Sequence, residues 1–142
     1  MDDMLLSNTA LLYNTALLCK AMDLGKLLDD HRGADVVVMD MRELNFWTDF
    51  FIIATVTSST HLSGLERHIK DFVRENELEI LHRSGRPKND AEQRSDEWRL
   101  LDLGGIVIHL MTAKARSFFE LERLWSAAPL IYKAGPYSSK SS

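Results

Sequence analysis

Apolar residues in the first third of the chain recur at helical spacing. One face is formed by residues four, three and four positions apart: Leu17, Ala21, Leu24 and Leu28. Ser7 or Thr9 can cap the start of this helix, and Gly33 is expected to end it in the left-handed conformation. Gly25 weakens the helix by about 1 kcal/mol relative to alanine, which allows a break there.

Two continuous apolar runs follow, at residues 36–39 and 50–56. Both are rich in β-branched and aromatic residues at successive positions, which is typical of strands covered on both faces. The link at residues 40–49 is too short for a crossover helix. The two strands are therefore predicted to be antiparallel.

A second helix is predicted to open at Ser58 and Ser59. Its buried stripe consists of Leu62, Leu65, Ile69, Phe72 and Val73. The pairs Glu66–Lys70 and Arg67–Asp71 are expected on its solvent face. Residues 80–82 predict a short third strand, parallel to its neighbour through the crossover, and residues 83–95 predict a polar loop.

The strongest local pattern is a pair of apolar runs around Gly104 and Gly105. It predicts a two-residue hairpin, in which both glycines can adopt positive φ. The predicted register pairs Leu103 with Ile106, Leu101 with Ile108, and Leu100 with His109. Thr112 can then cap a last helix that continues to Trp125.

The predicted order of elements is αββαβββα. It indicates an α/β fold with a mixed five-stranded sheet flanked by helices. A single domain is expected at residues 1–128, with a long N-terminal helix. Residues 129–142 are expected to form a flexible, frayed C-terminal tail.

One face of the predicted hairpin is half apolar and half polar. This mixed face carries Trp98, Leu100, Asp102, Val107, His109 and Met111. The long first helix can cover it, or it can bind another protein through its aromatic residues. Asp102 and His109 are expected to be diagonal neighbours within hydrogen-bonding distance, as an acid–base pair or as a structural contact. No Ser or Cys nucleophile is placed beside them, and Cys19, in a helix of Leu and Ala, is expected in the core.

Composition narrows the classes of function. The formal net charge of -4 argues against a protein that coats nucleic acid, but it suits an acidic patch that meets a basic partner. The single cysteine excludes an internal disulfide and a thiolate zinc site, and it indicates a reducing, cytoplasmic compartment. No apolar run approaches the roughly 20 residues of a membrane span, so no membrane association is expected.

Motifs for cofactors and catalysis are missing from the chain, including GxGxxG, GxxxxGK[ST], HExxH and GxSxG. No metal and no cofactor are therefore expected, and His61 and His68 are interpreted as surface or helix-end histidines. Acidic residues dilute the basic ones of the polar loop and its flanks, Arg83, Arg86, Lys88, Arg94 and Arg99. At the corner where the second strand meets the second helix, Thr57, Ser58 and Ser59 can hold an anion or simply cap the helix.

Five segments in order resemble the ribosomal silencing factor family (RsfS, also called YbeB or Iojap-like). They are residues 48–55, residues 57–59 with His61, residues 98–104, residues 107–109 and residues 119–125. The resemblance runs from about Leu17 to Trp125. It implies a fold related to the nucleotidyltransferases and a homodimer in the free state.

The resemblance also implies binding to the large ribosomal subunit through the basic L-series ribosomal protein number fourteen. That position blocks joining of the subunits and represses translation by steric occlusion, without catalysis and with little direct rRNA contact. The partner-binding residues expected on this basis are Trp98, Leu100, Asp102, Gly104, His109, Thr48, Asp49, Ser58, Ser59, His61, Glu120, Arg123 and Trp125. Within this set, Thr48, Asp49, Ser58, Ser59 and His61 are expected to shape the corner beside the interface. Glu120, Arg123 and Trp125 are contact residues or packing for the last helix.

The chain departs from the family pattern at three positions. Val56 stands where Gly is usual, Thr60 where Arg is usual, and Gly105 where Asp is usual. The missing Arg at Thr60 counts against the alternative of a direct rRNA binder. A nucleotidyltransferase enzyme is a second alternative, but that chemistry needs paired carboxylates, and the first strand is followed by Asp40 without an Asp-x-Asp motif.

Overall fold

The computed structural model describes residues 2–44, 47–84 and 97–134, with side chains described from residue 15 onward apart from that of residue 84. Its helices are α1 (Asp2–Asp30), α2 (Ser59–Glu75), α3 (Ala113–Phe119) and α4 (Leu121–Leu124), and a 3₁₀ turn covers Arg42–Leu44. Its strands are β1 (Ala34–Asp40), β2 (Phe50–Val56), β3 (His82–Ser84), β4 (Trp98–Asp102), β5 (Ile106–Thr112) and β6 (Leu130–Lys133). Most of the predicted loop at 83–95 and the end of the predicted tail lie outside the described residues.

The described strands form one mixed sheet in the order β3-β4-β5-β2-β1-β6. The predicted antiparallel pairing of β1 with β2 is confirmed, and β2 runs parallel to β5. The third strand covers His82–Ser84, two residues later than the predicted span of 80–82. It pairs antiparallel with β4 at the sheet edge, so it does not lie beside the strand from which the α2 crossover starts.

The sheet has six strands where five were predicted, because residues 130–133 of the predicted tail form β6. This strand pairs antiparallel with β1 and completes that edge of the sheet. Four residues between Pro129 and Ala134 are too short to show a clear period, which is why the pattern did not reveal them.

Helices α1 and α2 cover one face of the sheet. The predicted face of α1 is confirmed, since Leu17, Ala21, Leu24 and Leu28 are all buried in the main core. The mixed face lies on the opposite side, where the residues packed against the sheet come from α3, α4 and the segment after them. Of the two alternatives for the mixed face, cover by the first helix is therefore wrong.

Two glycines lie where a side chain would have no space, one inside α1 and one just after it. The helix continues through Gly25 without a break, and a Cβ there would lie 2.7 Å from Val38 Cγ2. Its end is also different from the prediction, because Arg32 and not Gly33 adopts the positive φ, of 73°. Glycine is required at position 33 for a steric reason, because a Cβ there would lie 2.7 Å from the carbonyl oxygen of Leu28. Cys19, expected in the core, is exposed on this helix.

The α2 helix begins as predicted, with Ser58 as its N-cap. Its charged residues match the prediction in part, because the expected Glu66–Lys70 pair is formed. Glu66 is buried, not on the solvent face, and Asp71 forms its ion pair with Arg74 at 2.9 Å. The Glu66 carboxylate accepts hydrogen bonds from Arg83 of β3 and Arg99 of β4, while Lys70 lies 3.6 Å away.

The hairpin register is confirmed, with Leu100 opposite His109 and Leu101 opposite Ile108. Positive φ occurs at Gly104 (95°) and not at Gly105, as in turns that need it only at the first central residue. Thr112 caps α3 as predicted, by accepting the Ala115 N–H at 3.1 Å. The last helix is broken in two, because Glu120 adopts the left-handed conformation between α3 and α4.

Candidate protein-binding surface

Four apolar side chains form a partly open surface on the mixed face. Trp98 and Leu100 are partly exposed on β4, and the end of α3 adds Phe118 and Phe119, which are 78% and 47% exposed. The rings of Trp98 and Phe119 lie 4.6 Å apart, and those of Phe118 and Phe119 lie 5.0 Å apart. We call Trp98, Leu100, Phe118 and Phe119 the aromatic surface.

The indole ring of Trp98 is fixed by a hydrogen bond to the buried side chain of His109. The indole Nε1–H donates to His109 Nδ1 at 3.1 Å, and the two ring centroids are 5.9 Å apart. His109 is 4% exposed, and its ring lies 5.0 Å from that of Phe51 at a steep angle. Burial lowers the pKa of His109 to about 4, so the imidazole is neutral near pH 7.

The predicted hydrogen bond between Asp102 and His109 is wrong. Asp102 turns to the hairpin instead, where its Oδ1 accepts the Gly104 N–H at 2.8 Å. His109 has two diagonal neighbours on β4, Asp102 and Trp98, and it bonds to the indole of Trp98. The predicted acid–base pair is therefore not formed.

The residues Thr48 and Asp49 fasten the hairpin to the start of β2. The Thr48 hydroxyl donates to the carbonyl of Gly104 at 3.0 Å, and Thr48 is fully buried. The backbone N–H groups of Asp49 and Phe50 both donate to the carbonyl of Gly105. These contacts hold the hairpin turn against the start of β2.

The polar groups at the start of α2 form hydrogen bonds with one another. Ser58 Oγ accepts the His61 N–H at 3.0 Å, and His61 Nδ1 accepts the Thr57 N–H at 3.1 Å. A cavity of about 430 Å³ opens beside them, lined by Arg32, Ala34, Thr57, Ser58, Thr60 and His61. Ser58 therefore caps the helix, the simpler of the two roles expected for it, while Ser59 is exposed on the first turn.

Glu120, Arg123 and Trp125 have two different environments. Glu120 is exposed and lies 3.6 Å from Arg123, whose side chain is 82% exposed. Trp125 is partly buried and packs against Phe51, with ring centroids 6.2 Å apart. Trp125 thus packs the end of the last helix against the sheet, whereas Glu120 and Arg123 lie at the surface.

The sequence pattern did not indicate Phe118 and Phe119 as surface residues, because both fall within the apolar stretch of the predicted last helix. Neighbouring positions on a helix point about 100° apart, so two adjacent phenylalanines at the end of one helix are not buried equally well. That spacing was the available signal. The early end of α3 at Phe119 leaves both rings outside the packed core.

Asp40, the acid considered for nucleotidyl transfer, is already paired. Arg42 donates to it from the backbone and from Nε and Nη2, at 3.0, 2.9 and 2.7 Å. The side-chain hydrogen bond from Arg42 is the main reason that the pKa of Asp40 lies below its usual range. Within the described part of the chain, no cluster of three or more His, Cys, Asp or Glu residues could hold a metal ion.

Comparisons with known proteins identify the family. The model of the family described as "Ribosomal silencing factor during starvation" (RsfS) matches residues 16–142. The chain is similar to the ribosomal silencing factor RsfS of Treponema pallidum, with 36% identity over 105 residues, 74% of this chain and 88% of that protein. It is 33% identical to the RsfS protein of Bacillus subtilis over 102 residues, 72% of this chain and 80% of that one.

A solved structure agrees with the fold. A crystal structure of a protein from Bacillus halodurans aligns with a TM-score of 0.62 and 28% identity, covering 83% of this chain and 98% of that one. No described helix is both long and apolar enough to cross a membrane. The family match covers the sheet, α2, the second half of α1 and the aromatic surface, and the chain belongs to the ribosomal silencing factor family.

Proposed function

We propose that this protein represses translation by binding the large ribosomal subunit and blocking the small subunit from joining it. Its contact is the L-series ribosomal protein number fourteen, and the bulk of the bound domain provides the block. The observation that carries the proposal is the aromatic surface, an exposed apolar patch within the region matched by the family. The relatives' name, ribosomal silencing factor, supports this role.

The aromatic surface has the composition of a protein-binding site. Aromatic residues are enriched among the side chains that carry most of the binding energy at interfaces. Trp98 is already fixed by His109 and by contact with Phe119, so little side-chain freedom remains to be lost on binding. Phe118 and Phe119 leave water only if another molecule covers them.

Three acidic residues lie close in the chain to residues of this surface, and they suit a basic ribosomal protein. Glu97 precedes Trp98, Glu120 follows Phe119, and Asp102 lies on the same strand face as Leu100. Together with the net charge of -4, they favour encounter with a positively charged partner. The proposal therefore includes little direct contact with rRNA, and it predicts a weak dependence of affinity on salt compared with proteins that neutralise many phosphates.

In the free state we expect a cytoplasmic homodimer. A two-fold dimer buries the same patch on both copies, and the aromatic surface is an apolar patch that can contribute. Sedimentation equilibrium over a concentration series tests this, and a monomer at all concentrations would contradict it. Gel filtration of the large subunit with bound protein would then show whether one copy or two is retained.

The proposal assigns no enzymatic reaction to the chain. The paired state of Asp40 does not favour a metal-dependent nucleotidyl transfer, which needs carboxylates free to bind metal ions. The relation to the nucleotidyltransferase fold stays a prediction. Calorimetry with ATP and Mg²⁺ tests the alternative, and micromolar binding would support it.

The decisive experiment follows reassociation of separated ribosomal subunits by light scattering. Saturating protein is expected to prevent the increase in scattering, and Trp98→Ala is expected to weaken the effect about tenfold because it removes a central aromatic anchor. Leu130→Ala is the matched control, since Leu130 is a 48% exposed apolar residue at the opposite edge of the sheet. Complete reassociation at saturating wild-type protein would refute the proposal.

A further inference from the structure

We propose that His109 is a positioning residue, which holds the indole of Trp98 in the orientation that the aromatic surface presents to its partner. The biological part of this inference rests on the proposed function. The geometric part rests on the hydrogen bond between the two rings and on the burial of His109. His109 therefore acts from behind the interface, and not as the contact residue that the sequence predicts.

The hydrogen bond has only one possible direction. The indole Nε1–H is a donor and cannot accept, so His109 Nδ1 must be without a proton to receive it at 3.1 Å. The imidazole proton then belongs on Nε2. The low pKa of His109 keeps the ring in this neutral form across the physiological range.

The imidazole is itself unable to move far. His109 lies on the central strand β5, beside Ile53 of β2 and opposite Leu100 of β4. The ring of Phe51 lies 5.0 Å from it on the same face of the sheet. A ring enclosed in this way is a fixed acceptor, and the indole that bonds to it adopts one rotamer.

The second ring nitrogen of His109, Nε2, indicates that this histidine does more than fill space in the core. Nε2 is buried and makes no hydrogen bond within the described part of the chain. A buried donor without a partner costs free energy, whereas leucine of similar volume would not incur that cost. The acceptor that Nδ1 offers to Trp98 accounts for a histidine at this position.

The orientation of Trp98 also affects its neighbour. The Trp98 ring lies 4.6 Å from that of Phe119, which contacts Phe118 in turn. Rotation of the indole would therefore disturb three of the four side chains of the aromatic surface. The effect of His109 on binding should pass entirely through Trp98.

A double-mutant cycle tests this inference. His109→Leu removes the acceptor at similar volume, His109→Asn keeps an acceptor oxygen at the position of Nδ1, and Trp98→Phe removes the indole donor but keeps an aromatic ring. Two quantities are measured: affinity for isolated large subunits, and the ¹H–¹⁵N indole resonance of Trp98, assigned by its loss in Trp98→Phe. Val37→Ala is the control, because it creates a cavity on the same face of the sheet but on β1, two strands away.

We expect His109→Leu to move the indole resonance and to weaken binding about tenfold, while His109→Asn restores most of both and Val37→Ala changes neither. In the Trp98→Phe background, His109→Leu should weaken binding no further. An equal loss of affinity in both backgrounds, or an unchanged indole resonance in His109→Leu, would overturn the inference. If the wild-type protein does not bind large subunits, the proposed function fails, and the indole resonance still decides whether His109 positions Trp98.

Discussion

Glu66 of α2 and Arg99 of β4 form a buried ion pair between a helix and the sheet. The two side chains are 5% and 7% exposed, and Arg83 of β3 donates to the same carboxylate. Burial raises the pKa of Glu66, but hydrogen bonds and charges from Arg83 and Arg99 outweigh it and hold the pKa below its usual value. One carboxylate thus fastens α2 to two strands, including the strand that carries Trp98.

Replacement of Glu66 by alanine should be among the most destabilising changes at a charged residue. It leaves two guanidinium groups without their carboxylate in a buried site, and loss of one partner from such a pair typically costs about 3–5 kcal/mol. Urea denaturation measures the change in the free energy of unfolding. Glu75→Ala, at an exposed position in the last turn of the same helix, should change it by less than about 0.5 kcal/mol. Equal effects of the two substitutions would show that the buried pair does not stabilise the fold.

The two serines at the start of α2 should respond differently to substitution. Ser58→Ala removes the hydroxyl that accepts the His61 N–H, and loss of such a cap typically costs about 1 kcal/mol. Ser59→Ala changes an exposed side chain within the first turn and should be nearly neutral. Thermal unfolding of both variants measures the difference. If Ser58 has only this capping role, its substitution will leave affinity for the large subunit unchanged, and a loss of affinity would make Ser58 a contact residue.

Local sequence patterns predicted the four central strands and the hairpin well, but not the two edge strands. The run at residues 50–56 coincides with β2, and the paired glycines gave the correct register of β4 and β5, because side-chain alternation and turn length leave little choice. The buried stripe of α1 was equally clear. These features depend on residues that are close together in the chain.

Contacts between distant residues were not predictable in the same way. The sequence pattern predicts Glu66 as a solvent-exposed member of a helical charge pair. Arg83 and Arg99 are distant in the chain, and they contact Glu66 only in the folded protein. The register placed both Asp102 and Trp98 diagonal to His109, but the choice between them depends on rotamers and burial. The exposure of Phe118 and Phe119 depends on where α3 ends, which the apolar pattern does not define.

Gly105 should tolerate a side chain only if Leu17 makes room for it. A Cβ at Gly105 would lie 2.5 Å from Leu17 Cδ2, although the backbone there does not need positive φ. Gly105→Ala is therefore expected to cost about 1–3 kcal/mol through overcrowding. In a Leu17→Ala background the added methyl group has space, so the same substitution should cost much less. Denaturant unfolding of the four proteins measures the coupling, and strictly additive effects would contradict this contact.

The burial of His109 should appear as a dependence of stability on pH. The pKa is about 4 in the folded protein against an ordinary value of 6.5, so the unfolded chain binds a proton that the folded protein excludes. Stability is therefore complete above pH 6.5 and falls as the pH decreases toward 4, by up to about 1.4 kcal/mol per pH unit and about 3 kcal/mol in total. Urea denaturation of wild-type protein and of His109→Asn between pH 7.5 and roughly 4 isolates this effect, because all other titrating groups are shared. The wild-type protein should lose stability faster than the variant across that range, and parallel curves would show that the folded protein does not exclude a proton from His109.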